Sequence, residues 1–111
     1  MAAERTVRYI GIARKAGHLV IGTPAVCDAL RRVKDGAVFT ANDISDGTRK
    51  RIADKCAFYG AQMYCLPTGG AELAHAVGKT GAVAAVMITD AGLTASAVKA
   101  FVAETDSRGI E

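Results

Sequence analysis

Hydrophobic positions recur along the chain in two rhythms, and their alternation lays out the elements. Val7, Ile10, Ala13 and Gly17 fall at steps of three, three and four, which predicts an opening amphipathic helix stopped by Gly17, a residue suited to the left-handed turn just past a helix. Leu19-Val20-Ile21 reads as a short strand. Gly22-Thr23-Pro24 signals a helix start, because the Thr23 hydroxyl suits a cap and Pro24 loses nothing at the first helical position, where an N–H has no partner. The stripe Val26, Ala29, Leu30 and Val33 gives that helix its buried face, and Gly36 ends it.

Ala37-Val38-Phe39-Thr40-Ala41 predicts a second strand, and Asn42 to Gly47 a turn in which Ser45 caps the next helix. That third helix carries an inner stripe of Thr48, Ile52, Cys56 and Tyr59 and an outer face with Arg49, Lys50, Arg51 and Lys55, and it stops at Gly60. Met63 to Leu66 is the third strand, Pro67 to Gly70 a loop, and Leu73, Ala76 and Val77 mark a short helix ending at Gly78. Val83 to Ile88 is nearly all apolar, the pattern of a strand covered on both faces. A last helix is expected from about Thr94, burying Val98, Phe101 and Val102.

Helix and strand in alternation predict a three-layer α/β/α sandwich around a small mixed four-stranded sheet, with function at the strand ends. At 111 residues the chain has the size of one domain, expected over 1–104, with a polar tail at 105–111. Half the residues are apolar and 23% are charged, which excludes a disordered chain. The apolar stretch from Ala82 to Thr89 is far shorter than the roughly 20 residues that span a bilayer, and the N-terminus lacks an apolar signal core. The expectation is a cytoplasmic protein that does not engage membranes.

Little in the chain points to catalysis or a cofactor. Cys27, Cys56 and Cys65 form no CxxC pair, and His18 and His75 lie far apart, so neither a zinc site nor a disulfide framework is expected. Gly78-Lys79-Thr80-Gly81 resembles the end of a phosphate loop, but Leu73 stands where the motif needs its first glycine. Asp43, Asp46 and Asp90 are the carboxylates of the predicted loops, and Asp90 before Ala91-Gly92 reads as a turn or cap residue. An enzyme is not expected.

Charge changes the picture more than composition does. Residues 1–55 hold eleven Lys or Arg against six acids, a net of +5, whereas residues 56–111 hold three against five, a net of −2. A basic half suits a polyanionic partner, although it also suits a solvated surface. Gly22 permits close backbone approach, and the amides of the helix after it favour an anion. Arg14, Lys15 and His18 lie just upstream, and Arg49, Lys50 and Arg51 open the third helix.

Several separated segments carry a family likeness: Ala13 to Thr23, Asn42 to Ser45 leading into Thr48 to Arg51 and Asp54 to Cys56, Glu72 to Lys79, and Ile88 to Asp90. Together they resemble the ribosomal L-seven-Ae and L-thirty-e family, most closely its bacterial YlxQ branch. The resemblance covers roughly Arg5 to Leu93 and implies an α/β/α sandwich that binds structured RNA, in the best-studied members a kink-turn with sheared G·A pairs. In that family the RNA sits on the N-terminus of the second helix and on the loop after the third strand. A Gly and a small residue are followed there by Asn-Glu, two further residues and Lys. Gly22 and Thr23 match, but Pro24, Ala25 and Asp28 occupy the Asn, Glu and Lys positions and cannot make the same contacts. The expected site is therefore Arg14, Lys15, His18, Gly22, Thr23, Arg49, Thr68 and Gly69, holding RNA by amides and phosphate contacts, with kink-turn specificity altered or lost. The expected partner is structured RNA, ribosomal RNA or the ribosome, bound by a monomer without cofactor. The alternative is a protein-interaction module on the same scaffold that does not bind RNA.

Overall fold

A computed structural model describes residues 3–34 and 36–105. The element order is α1 (Glu4–Lys15), β1 (Leu19–Ile21), α2 (Thr23–Leu30), β2 (Ala37–Thr40), α3 (Asp46–Tyr59), β3 (Gln62–Cys65), α4 (Gly70–Ala76), β4 (Ala85–Ile88) and α5 (Ala91–Thr105). The sheet order is β1-β4-β2-β3, with β4 antiparallel to both neighbours and β2 parallel to β3, so the sheet is mixed.

Strand alternation divides the core into two layers. Ala37, Phe39, Val86 and Ile88 face Ile10 and Ala13 of α1, Leu73 and Val77 of α4 and Ala97 of α5. Val38, Ala85 and Met87 face Val26, Ala29 and Leu30 of α2 and Ile52 and Cys56 of α3. The expected three-layer sandwich is thus present, and every residue of β4 is buried, as its unbroken apolar run implied. Phe39, Tyr64 and Phe101 pack as an aromatic trio, with centroids 5.1 to 6.2 Å apart, joining α5 to β2 and β3.

Several boundaries follow local chemistry. The Ser45 hydroxyl accepts a hydrogen bond from the Thr48 amide at 3.1 Å and caps α3. Gly17, Gly60 and Gly78 all have positive φ at the ends of their helices, as expected. Asp90 accepts from the Leu93 amide at 2.9 Å, so α5 starts at Ala91, three residues before the expected Thr94. α2 stops at Leu30 and not at Gly36, because Arg31 and Arg32 donate to carbonyls three residues back and tighten the last turn. Val33, beyond that end, still packs on the α2/α3 layer.

Three other expectations need correction. Gly22, not Thr23, is the residue that precedes α2, and it has no side chain with which to cap; Thr23 is already helical. In α1 the buried line is Thr6, Ile10 and Ala13, and Val7 is only half-buried. Val102 is 48% exposed, because α5 turns Ala97 and Ala100 inward, where small side chains let α1 approach closely. Residues 106–111 of the expected tail lie outside the described residues, and Thr105 ends α5.

The start of α1 has no local cap, since Ala3 precedes it. The Glu104 carboxylate of α5 takes over, accepting from the amides of Arg5 at 2.7 Å and Thr6 at 2.9 Å and from the Thr6 hydroxyl at 2.8 Å. Burial pushes this carboxyl up, but the three hydrogen bonds and the Arg5 charge outweigh it and hold the group below the usual carboxylate range. A depressed folded pKa contributes stability above the unfolded value, near 4.3, that is lost as pH falls through the folded one. Glu104→Gln is therefore expected to lower the melting temperature by several degrees at pH 7. Melts taken from pH 7 to pH 3 should show the gap between the two proteins closing.

Candidate nucleic-acid interface

Because β4 runs against its neighbours, β1, β2 and β3 end where β4 begins. Four segments meet along that rim: Gly22 to Pro24, Ala41 to Ser45, Leu66 to Gly70, and Lys79 to Ala84. Backbone hydrogen bonds lace them together, from Gly22 N to Ala85 O at 2.9 Å, Ala41 N to Ala84 O at 2.8 Å, Asn42 N to Thr68 O at 2.9 Å and Val83 N to Gly70 O at 3.0 Å. The Asp43 carboxylate accepts from the Gly70 amide at 2.9 Å and fixes the start of α4.

Gly22 makes the turn from β1 into α2 with φ 98° and ψ 149°, a region open essentially to glycine alone. Nothing lies within 4 Å of where a Cβ would stand, so the requirement is the backbone conformation and not space. Val26 is the first residue of α2 whose amide bonds back, to Gly22 O at 2.9 Å, and the amides of Thr23 and Ala25 precede it at the positive end of the helix. Pro24 has no amide to give, and no acid lies in the first turn.

The two sides of the Ala82–Ala84 segment differ in charge. One side is a cleft of about 530 Å³ bordered by Arg14, Gly22, Thr23, Pro24, Lys79 and Thr80. The other is a smaller cleft of about 250 Å³ bordered by Asp43, Ile44, Ser45, Thr48 and Gly70. The first offers two cations and the α2 amides to an anion, whereas the second presents a carboxylate.

The structure brings Arg14, Gly22 and Thr23 to one cleft and leaves the other candidates outside it. Lys15 borders a different cleft, between α1 and α4. His18 lies at the opposite end of β1, about 13 Å away at strand rise, with its carbonyl taken by the Thr89 amide. Arg49 reaches the exposed Cys65 Sγ at 3.7 Å on β3, three strand spacings or about 14 Å across the sheet from β1. Thr68 is buried, and Gly69 is backed by the Asp43 carboxylate. Lys79 and Thr80 border the cleft without being among the expected site residues, although Gly78 and Gly81, both at positive φ, bracket them in the stretch that resembles the end of a phosphate loop. Asp28 is exposed and engaged within α2, pairing with Arg32 at 2.9 Å and Arg31 at 3.8 Å.

Comparison with known proteins decides the family. The model of the ribosomal protein L7Ae/L30e/S12e/Gadd45 family matches residues 5–98. The chain belongs to this family. Among L7Ae-type relatives, the RNA-binding protein YlxQ of Enterococcus faecium is 33% identical over 76 residues, covering 68% of this chain and 73% of that protein. The RNA-binding protein YlxQ of Bacillus subtilis is 31% identical over 83 residues, covering 75% and 81%. Among solved structures, a Bacillus halodurans protein of unknown function superposes with a TM-score of 0.80 at 23% identity, covering 87% of this chain and 96% of that one. The Giardia lamblia 15.5kD RNA binding protein superposes at 0.72 with 14% identity, covering 91% and 84%. These last two likenesses bear on the L7Ae fold alone.

Gly22→Ala is expected to cost about 1–3 kcal/mol through backbone strain, read as a lowered denaturation midpoint. Thr23→Ala should stay within about 0.5 kcal/mol of the parent, because the Thr23 side chain does not cap α2.

Proposed function

We propose that this chain binds structured RNA, ribosomal RNA being one candidate, as a monomeric cytoplasmic binding protein and not as an enzyme. The carrying observation is the cleft in which Arg14 and Lys79 flank Gly22 and the free amides at the start of α2. Two relatives above 30% identity are named as RNA-binding proteins, which supports the same reading. Phosphate oxygens suit this cleft: amides and cations meet them at short range without reading sequence.

Kink-turn specificity is reduced in this reading. Pro24 and Ala25 are exposed at the start of α2 but bring no hydrogen-bonding side chain, and the Asp28 carboxylate is held by Arg31 and Arg32. Binding then rests on charge and shape, so affinity should fall steeply with salt.

Fluorescence anisotropy with a kink-turn RNA and a duplex of equal length tests both parts. Arg14→Ala and Lys79→Ala should weaken both RNAs alike and lower the salt slope by about one each. Lys50→Ala, which removes a cation paired with Asp54 on α3, should change neither. Undiminished RNA affinity in both site variants would overturn the site, and no RNA affinity in the parent would favour the interaction-module alternative.

Restoring the readers with Pro24→Asn, Ala25→Glu and Asp28→Lys should improve discrimination in favour of the kink-turn. All three positions are exposed, and the lost Asp28 pairs are surface pairs worth about 1 kcal/mol or less. A parent that already prefers the kink-turn strongly, with no gain in the variant, would contradict the loss of readout.

A further inference from the structure

The cleft between α1 and α4 that Lys15 borders has a volume of about 710 Å³. Its size falls within the roughly 300–1,000 Å³ typical of ligand-accepting clefts. Its floor is apolar, made by Val7, Gly11, Ile12 and Ala76, and Ile12 is 44% exposed. Its rim is basic, with Arg8, Arg14 and Lys15 against the single carboxylate of Glu4. The ion pairs among the described residues lie elsewhere, on α2 and α3.

Gly11 is the unexplained residue here. It sits inside α1, where glycine is among the weakest helix formers, and its φ is not positive. An added Cβ would meet only the Ala76 carbonyl, at 3.5 Å, an ordinary contact. The fold therefore does not require glycine at this position, and a side chain longer than alanine's at Gly11 would grow into the cleft that this residue lines.

We infer that this cleft is a docking groove for an acidic, amphipathic segment of a partner protein. Aliphatic side chains of the segment seat on Val7, Ile12 and Ala76 across the bare Gly11, and its carboxylates meet Arg8 and Lys15. The α1 face is about 18 Å long, enough for about three turns of a docked helix. A phosphate backbone suits the rim but would leave the apolar floor uncovered, so a peptide fits this groove better than RNA. Arg14 borders both this groove and the Gly22 cleft, so the test leaves it intact.

The probe is a fluorescein-labelled peptide of about four helical turns with Leu at i, i+3, i+4 and i+7 and Glu elsewhere, set against a scrambled peptide of the same composition, in 0.15 M salt. The parent should bind the probe with a micromolar dissociation constant and the scrambled peptide at least tenfold more weakly. Gly11→Leu, which fills the floor, and Arg8→Glu, which reverses an exposed rim charge, should each weaken the probe at least tenfold. Their melting temperatures should hold, and their affinity for the duplex RNA should stay within twofold of the parent. Should Gly11→Leu fail to fold, Arg8→Glu decides alone. Equal binding of the scrambled peptide, no binding of the probe, or unchanged probe affinity in a folded variant would overturn the inference. So would a parallel loss of RNA affinity, which would assign the groove to RNA.

Discussion

The antiparallel insertion of β4 between β1 and β2 is the constraint on which the rest of the molecule depends. Its four residues are fully buried and alternate between the two helical layers, Val86 and Ile88 toward α1, α4 and α5, Ala85 and Met87 toward α2 and α3. A shift of one residue in its register would exchange these sets and push Met87 into space shaped for valine or isoleucine. The same register brings the segment before β4 to the ends of β1 and β2, where the backbone bonds of Gly22 and Ala41 hold it. Lys79 and Arg14, distant in sequence, border one cleft for that reason.

Placement of charge follows from this arrangement. The positive end of α2 opens beside Arg14 and Lys79, whereas the rim around Gly69 and Gly70 is occupied by the Asp43 carboxylate. An anion therefore meets attraction on one side of Ala82–Ala84 and repulsion on the other. At the opposite end of the α1/α5 layer, Glu104 supplies the cap that Ala3 cannot, so the two terminal helices hold one another in place.

Most elements were legible because their signals are local. Periodicity gave the helices, Ser45 and the helix-ending glycines marked their limits, and the apolar run around β4 implied cover on both faces. What escaped detection is tertiary. Thr23 looks like a cap, but the strained turn at Gly22 starts the helix one residue earlier. Val102 fits the helical stripe, yet close packing of α1 favours the alanines of α5. The basic residues Arg14, Lys15, His18 and Arg49 are clustered by composition, whereas the sheet sends His18 to the far end of β1 and Arg49 to the other edge, and Lys79 joins Arg14 from the half of the chain whose net charge is negative.

The central claim is that RNA meets this chain at the start of α2 beside the segment before β4. Amide chemical-shift mapping on the nitrogen-15-labelled protein, titrated with the duplex RNA, tests it most directly. The account predicts the largest changes at Gly22, Thr23 and Ala25 and from Lys79 to Ala84, with little at His18, Thr89 or Cys65. Changes centred on those latter residues, or spread evenly over the surface, would contradict it.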